Sequence, residues 1–129
     1  MSDFKKLQVW QKAHALSLTI DRICKRIRGS QYASLRSQLF RAAMSIPANI
    51  AEGRRKNSDK DFARFLGYAL SSCSEVEYHL IVARDTKVIS ESDFVFGHQS
   101  DHYSAENALW SVESPFSPRG RWQGERKQS

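Results

Sequence analysis

Apolar residues recur every three or four positions through the first two-thirds of the chain, the period of one face of an α-helix. Trp10, Ala13, Leu16, Ile20, Ile23 and Ile27 mark a first helix between Phe4 and Ile27, closed by Gly29. Lys25, Arg26 and Arg28 fall at its end, where cations suit the negative pole of the helix dipole. Leu35, Leu39, Ala42, Ile46 and Ile50 carry the same period over a second helix, from about residue 31 to 53. Pro47 sits inside it. An interior proline removes one backbone donor and crowds the carbonyl four residues earlier, so a kink is expected, relieved by the small neighbours Ala42, Ala43 and Ala48. The polar stretch Gly53-Arg54-Arg55-Lys56-Asn57-Ser58 forms a turn, and Ser58 with Asp61 reads as the cap of a third helix. Phe62, Leu66, Ala69, Cys73, Val76 and Leu80 then alternate steps of four and three up to about Asp85, a heptad-like seam.

Helices joined by short turns pack antiparallel, so the pattern predicts an all-α, up-down bundle. Three helices are clear. Ser90-Glu91-Ser92-Asp93 looks like the start of a fourth, but Gly97, Pro115, Pro118, Gly120 and Gly124 interrupt a mixed sequence with no sustained apolar stripe. The reading is therefore a helical domain over residues 4–93 and an irregular, disordered or out-of-frame tail over 94–129.

Composition narrows the function classes. The chain has 129 residues, enough for one core. Its first twenty residues mix Lys, Gln and His into the apolar positions, which fits neither a signal-peptide core nor a membrane span, so the cytosol is the expected compartment. Cys24 and Cys73 each lie in an apolar stripe and read as buried, reduced thiols. Net charge is +6, with +8 on residues 1–88 and −2 on the remainder. An antiparallel bundle gathers Lys5, Lys6, Arg54, Arg55, Lys56 and Lys60 at one end, and Lys25, Arg26, Arg28, Arg84 and Lys87 at the other. Such basic caps favour polyanions, because each phosphate neutralised releases counterions. The Arg54-Arg55-Lys56 turn is the best binding candidate, able to reach several phosphates without reading bases; an ordinary solvated turn is the competing reading.

Nothing in the sequence supports catalysis. Ser71, Ser72 and Ser74 lack a Gly-x-Ser-x-Gly elbow, and there is no phosphate-cradling glycine loop. Glu75 and Glu77, two apart, cannot share a helix face; Glu75, beside the seam, is expected to pair with Arg41 or another interior polar group. His14, His79, His98 and His102 come without an HExxH or CxxC motif. His98 and His102 are four apart, but Gly97 to Asp101 gives little reason to expect the helix that would align them. No catalytic residue, metal ligand or cofactor is expected. Trp10 is expected in the core.

The runs Leu7-Gln-Val-Trp-Gln-Lys-Ala13, Arg41-Ala-Ala-Met-Ser-Ile-Pro-Ala-Asn-Ile-Ala-Glu-Gly53 and Phe62-Ala-Arg-Phe-Leu66 resemble the four-helix-bundle family encoded in 23S rRNA intervening sequences. The resemblance covers roughly residues 4–93. That family includes the accessory variability protein of diversity-generating retroelements, a homopentameric barrel that binds nucleic acid and its reverse transcriptase. The resemblance thus implies a four-helix bundle, a homo-oligomer such as a pentamer, and nucleic acid or a reverse transcriptase as partner. The matching residues are mostly apolar, with Arg41, Asn49 and Glu52 as polar exceptions, and carry fold more securely than function.

The departure at the fourth helix has a genetic reading. Translated one base later, Ser104 to Trp110 admits Arg-Arg-Lys-Met-Leu-Tyr-Gly, part of an amphipathic basic segment like the family's last helix. A frame lost near Phe94–Phe96 would leave a three-helix remnant with an uncovered seam. Three readings stand: a nucleic-acid-binding bundle, a protein-interaction subunit, and an inactive gene product.

Overall fold

The computed structural model describes residues 3–112, and every regular element among them is helical. A short 3₁₀ turn, Phe4–Lys6, leads into α1 (Gln8–Arg26). A second 3₁₀ turn, Ser30–Tyr32, follows Gly29, whose φ of 99° is open only to a residue without a side chain. α2 (Ala33–Arg54) and α3 (Asp59–Asp85) form a hairpin, and α4 runs over residues 91–111. The order is up-down-up-down. α2 packs on α1 and on α3, while α4 lies against both α1 and α3 and closes the square.

Each predicted helix is present for the reasons its sequence supplies. Leu16, Ile20, Leu39, Ile46, Ile50, Leu66, Val76 and Leu80 are all buried at the centre of one core. Ser58 caps α3, its hydroxyl accepting the Asp61 N–H at 3.1 Å. Lys87, at φ 62°, ends α3 in the left-handed conformation, and the Val88 N–H reaches back to the Ala83 carbonyl at 3.0 Å. Trp10 differs from its expected core position. It is half-buried on the α1–α2 groove, stacked on His14 with ring centroids 4.9 Å apart.

α2 continues through Pro47, and the compensation is polar rather than merely small. Proline at 47 cannot donate to the carbonyl of Ala43, the acceptor four residues back. The buried Ser17 hydroxyl of α1 stands 3.0 Å from that oxygen and 3.2 Å from its own Ala13 carbonyl, so its proton serves the acceptor that Pro47 leaves open. Ala42 and Ala43 are buried as expected, but Ala48 is exposed. Close approach of α2 to α3 is set by Gly53, where an added Cβ would meet the Phe65 Cβ at 2.7 Å.

The main correction concerns the fourth helix. Residues 94–111, expected to be irregular, are helical and packed: Phe94, Gly97, His102, Ala105 and Leu109 are buried. Ser90 caps the helix through the Asp93 N–H at 3.0 Å, and the first turn, Glu91–Phe94, passes into a π-helical segment, Val95–His102, before Tyr103–Ser111 resumes the α form. The buried positions therefore step by 3, 5, 3 and 4. A step of five breaks the 3.6 period, because a π turn holds an extra residue. Gly97, which punctuates the sequence, is small so that α4 can approach Ile23 and Leu80; a Cβ there would stand 3.0 Å from Ile23 Cδ1 and 3.3 Å from Leu80 Cδ2. The expected tail over 113–129 lies outside the described residues.

Candidate nucleic-acid interface and a histidine cluster

The turn between α2 and α3 carries Arg54, Arg55 and Lys56, with Lys60 in the first turn of α3. Phe4 shares a groove with Ala48 and Ala51, so the segment bearing Lys5 and Lys6 packs beside the second half of α2. Lys5, Lys6, Arg55, Lys56 and Lys60 are exposed and Arg54 is half-buried. Aromatic rings underlie these cations: Arg54 lies 5.7 Å from the Phe62 ring centroid, while Lys56 and Arg64 lie 5.4 and 5.3 Å from that of Phe65. Glu52 lies 3.2 Å from Lys56 and 3.9 Å from Arg55, Asp61 lies 3.4 Å from Arg64, and Asp59 adds a further carboxylate in the first turn of α3. Glu52 thus faces two cations, and exposed pairs of this kind contribute at most about 1 kcal/mol and yield readily to a phosphate.

The opposite end is much less cationic than the sequence implies. Lys25 pairs with Asp21 at 3.0 Å, Arg26 with the buried Asp93 of α4, and Arg84 with Asp85 at 3.0 Å while lying over the Phe94 ring. Among the described residues only Arg28 and Lys87 of that group lack a carboxylate partner. The acidic start of α4 supplies the charge that neutralises Arg26, and it can do so only because the fourth helix is complete and packed.

Between α1 and α2 lies an apolar groove of about 570 Å³, lined by Phe4, Trp10, Leu18, Met44 and Pro47 among others. Leu18 and Met44 remain 48% and 44% exposed, unusual for large apolar side chains flanking a groove.

The structure also assembles residues that sequence reasoning kept apart. α4 brings His98 and His102 onto one face, their rings stacked 5.2 Å apart at 14°, and sets them against Glu77 of α3. His98 Nε2 lies 2.6 Å from Glu77 Oε2. That hydrogen bond, followed by the charges of His102 and His98, holds the Glu77 carboxyl below its usual range against the opposing effect of burial. His102, 1% exposed, places Nε2 at 2.7 Å from the Cys73 carbonyl and 3.6 Å from Glu106. The α4 helix was the missing premise; the four-residue spacing of His98 and His102 was the visible signal. Glu75 is exposed and does not engage Arg41. His79 is half-buried, and desolvation lowers its pKa despite the opposing charge of Glu75. Burial pushes the Cys24 thiol up to about 11 and the Cys73 thiol up to about 12, as for inert core cysteines.

Fold and surface together define a small antiparallel four-helix bundle with one strongly cationic end. The sequence profile of the 23S rRNA-intervening sequence proteins matches residues 5–100, three-quarters of the chain, and the protein belongs to that family. No curated protein matches the chain. Among the described residues no helix is long and apolar enough to cross a membrane.

Proposed function

We propose that this protein is a non-enzymatic bundle that binds nucleic acid, RNA being the first candidate given the family's name, through Lys5, Lys6, Arg54, Arg55, Lys56 and Lys60. The observation that carries this reading is the excess of exposed cations around the α2–α3 turn, where among the described residues Glu52 is the one carboxylate paired with Arg55 and Lys56. Binding there is to the phosphate backbone and reads little sequence, because a cluster of cations on a short turn matches phosphates rather than base edges. At the far end Arg26 contributes less, since it is held by the buried Asp93 of α4, while Lys25 and Arg28 form a second and smaller cationic group.

The reading extends to a homo-oligomer. The exposed Leu18 and Met44 flanking the apolar groove support a second copy of the chain as the partner of the α1–α2 face. The cytosol is the setting we propose, in keeping with two buried, unpaired thiols.

The test is fluorescence anisotropy of labelled duplex RNA and DNA over a range of salt. The logarithm of affinity should fall linearly with the logarithm of salt, and substituting Arg55, Lys56 and Lys60 by Gln should reduce the slope by about 0.9 for each phosphate that is no longer neutralised. Salt-independent binding, or an unchanged slope in that variant, would refute the interface.

A further inference from the structure

We infer that Glu77, His98 and His102 form a binding site for a divalent transition-metal ion of the Zn²⁺ class, which clamps α4 to α3. One ligand atom from each residue lies within 4.8 Å of the other two. Zn²⁺ bound by nitrogen and oxygen at about 2.0–2.2 Å holds its ligand atoms about 3.3 Å apart, so side-chain shifts of about an ångström complete the arrangement. Two imidazoles and one carboxylate are a donor set that selects Zn²⁺ and its transition-metal neighbours over Mg²⁺ or Ca²⁺, which take oxygen ligands.

The hydrogen bonding of the His102 ring points the same way. A carbonyl can only accept, so His102 Nε2 donates to Cys73, and in the neutral ring the lone pair resides on Nδ1. That Nδ1 is buried with no protein partner, on a side chain almost wholly enclosed. His98 faces the same site with its other nitrogen, Nε2 lying 2.6 Å from Glu77 Oε2, so this nitrogen and the carboxylate are the pair that an ion would bridge. A metal-ligating histidine characteristically donates its other ring N–H to a backbone carbonyl or carboxylate, which fixes the tautomer and orients the ring. The π-helical turn Val95–His102 carries both histidines, and such turns are frequent at functional sites. Glu106, 3.6 Å from His102 and 38% exposed at its side chain, stands at the solvent edge, where water can supply a further ligand.

This site lies on α3 and α4 and is independent of the cations at the α2–α3 turn, so either reading can fail alone. The experiment is calorimetric titration of the metal-stripped full chain with ZnCl₂, beside thermal unfolding in Zn²⁺ and in Mg²⁺. One equivalent of Zn²⁺ should bind and raise Tm, with no such effect of Mg²⁺. Glu77→Gln and His98→Gln should each weaken binding at least about tenfold, the minimum loss when even a supporting partner of a metal ligand is removed; Glu75→Gln should leave it unchanged. Imidazole NMR of the unmodified protein gives a readout that does not depend on the variants folding: the His98 and His102 resonances should shift on adding Zn²⁺ while those of His14 and His79 stay in place. Absence of stoichiometric binding, or shifts confined to His14 or His79, overturns the proposal.

Discussion

The Ser17 hydroxyl is expected to matter to stability because Pro47 is where it is. Ser17→Ala removes the side-chain donor at the Ala43 carbonyl, whose helical partner would be the N–H that residue 47 lacks. An unsatisfied buried acceptor costs about 1–3 kcal/mol, and the hydrogen bond itself contributes about 1 kcal/mol net, so a loss of about 2 kcal/mol is expected. The proper control is a double-mutant cycle with Pro47→Ala, which restores the backbone donor. In that background Ser17→Ala should cost well under 1 kcal/mol, giving a coupling energy of about 1–1.5 kcal/mol, within the range found for groups sharing one hydrogen-bond network. Urea unfolding followed by far-UV circular dichroism at fixed protein concentration measures all four species. Equal cost of Ser17→Ala with and without Pro47 would refute the reasoning, since the hydroxyl would then be acting through packing alone.

Three further expectations follow from the packing and the buried thiols. Leu109→Ala should destabilise the protein by about 2–5 kcal/mol, because Leu109 is 2% exposed in the core; no effect in urea unfolding would mean that α4 is not part of the folded unit. Glycine-to-alanine changes in α2 and α4 should differ: both gain up to about 1 kcal/mol of helix propensity, but at Gly53 the obstacle is Phe65 Cβ, fixed to its backbone, so overpacking of about 1–3 kcal/mol prevails. At Gly97 the obstacles are the movable ends of Ile23 and Leu80, so Gly97→Ala should be neutral or stabilising in the same assay. The thiols set an alkaline limit: folded Cys24 and Cys73 titrate at about 11 and 12 against about 8.5 unfolded, so their contribution to stability is full below pH 8.5 and is lost as pH rises through the folded values. Stability measured between pH 7 and 10 should decline less in Cys73→Ala, and native-state alkylation should be slow until the protein unfolds.

How much was legible in the sequence depended on whether burial followed the helical period. In α3 the seam Phe62, Leu66, Ala69, Cys73, Val76, Leu80 is apolar and spaced by three or four, and all of it is buried except the half-buried Phe62 at its start, so pattern and core coincide. In α4 the buried set includes Gly97 and His102, which a hydropathy reading takes for a breaker and a surface residue, and the π turn sets them five positions apart. The basic end near Arg55 was readable because turn residues are exposed wherever the turn is formed. The neutralisation of Arg26 was not, because its partner Asp93 lies 67 positions away, on the helix that the pattern concealed.

The sequence by itself determined the helical class, the antiparallel order of α1 to α3, the Ser58 cap and the cationic turn, because local periodicity, capping and turn chemistry act within a few residues. Only the tertiary structure decided that α4 completes the bundle, that Ser17 answers for Pro47, and that Glu77, His98 and His102 meet. Each of those contacts joins separate helices, and its partners are chosen by close packing around Gly97 and Pro47 rather than by any preference legible along the chain.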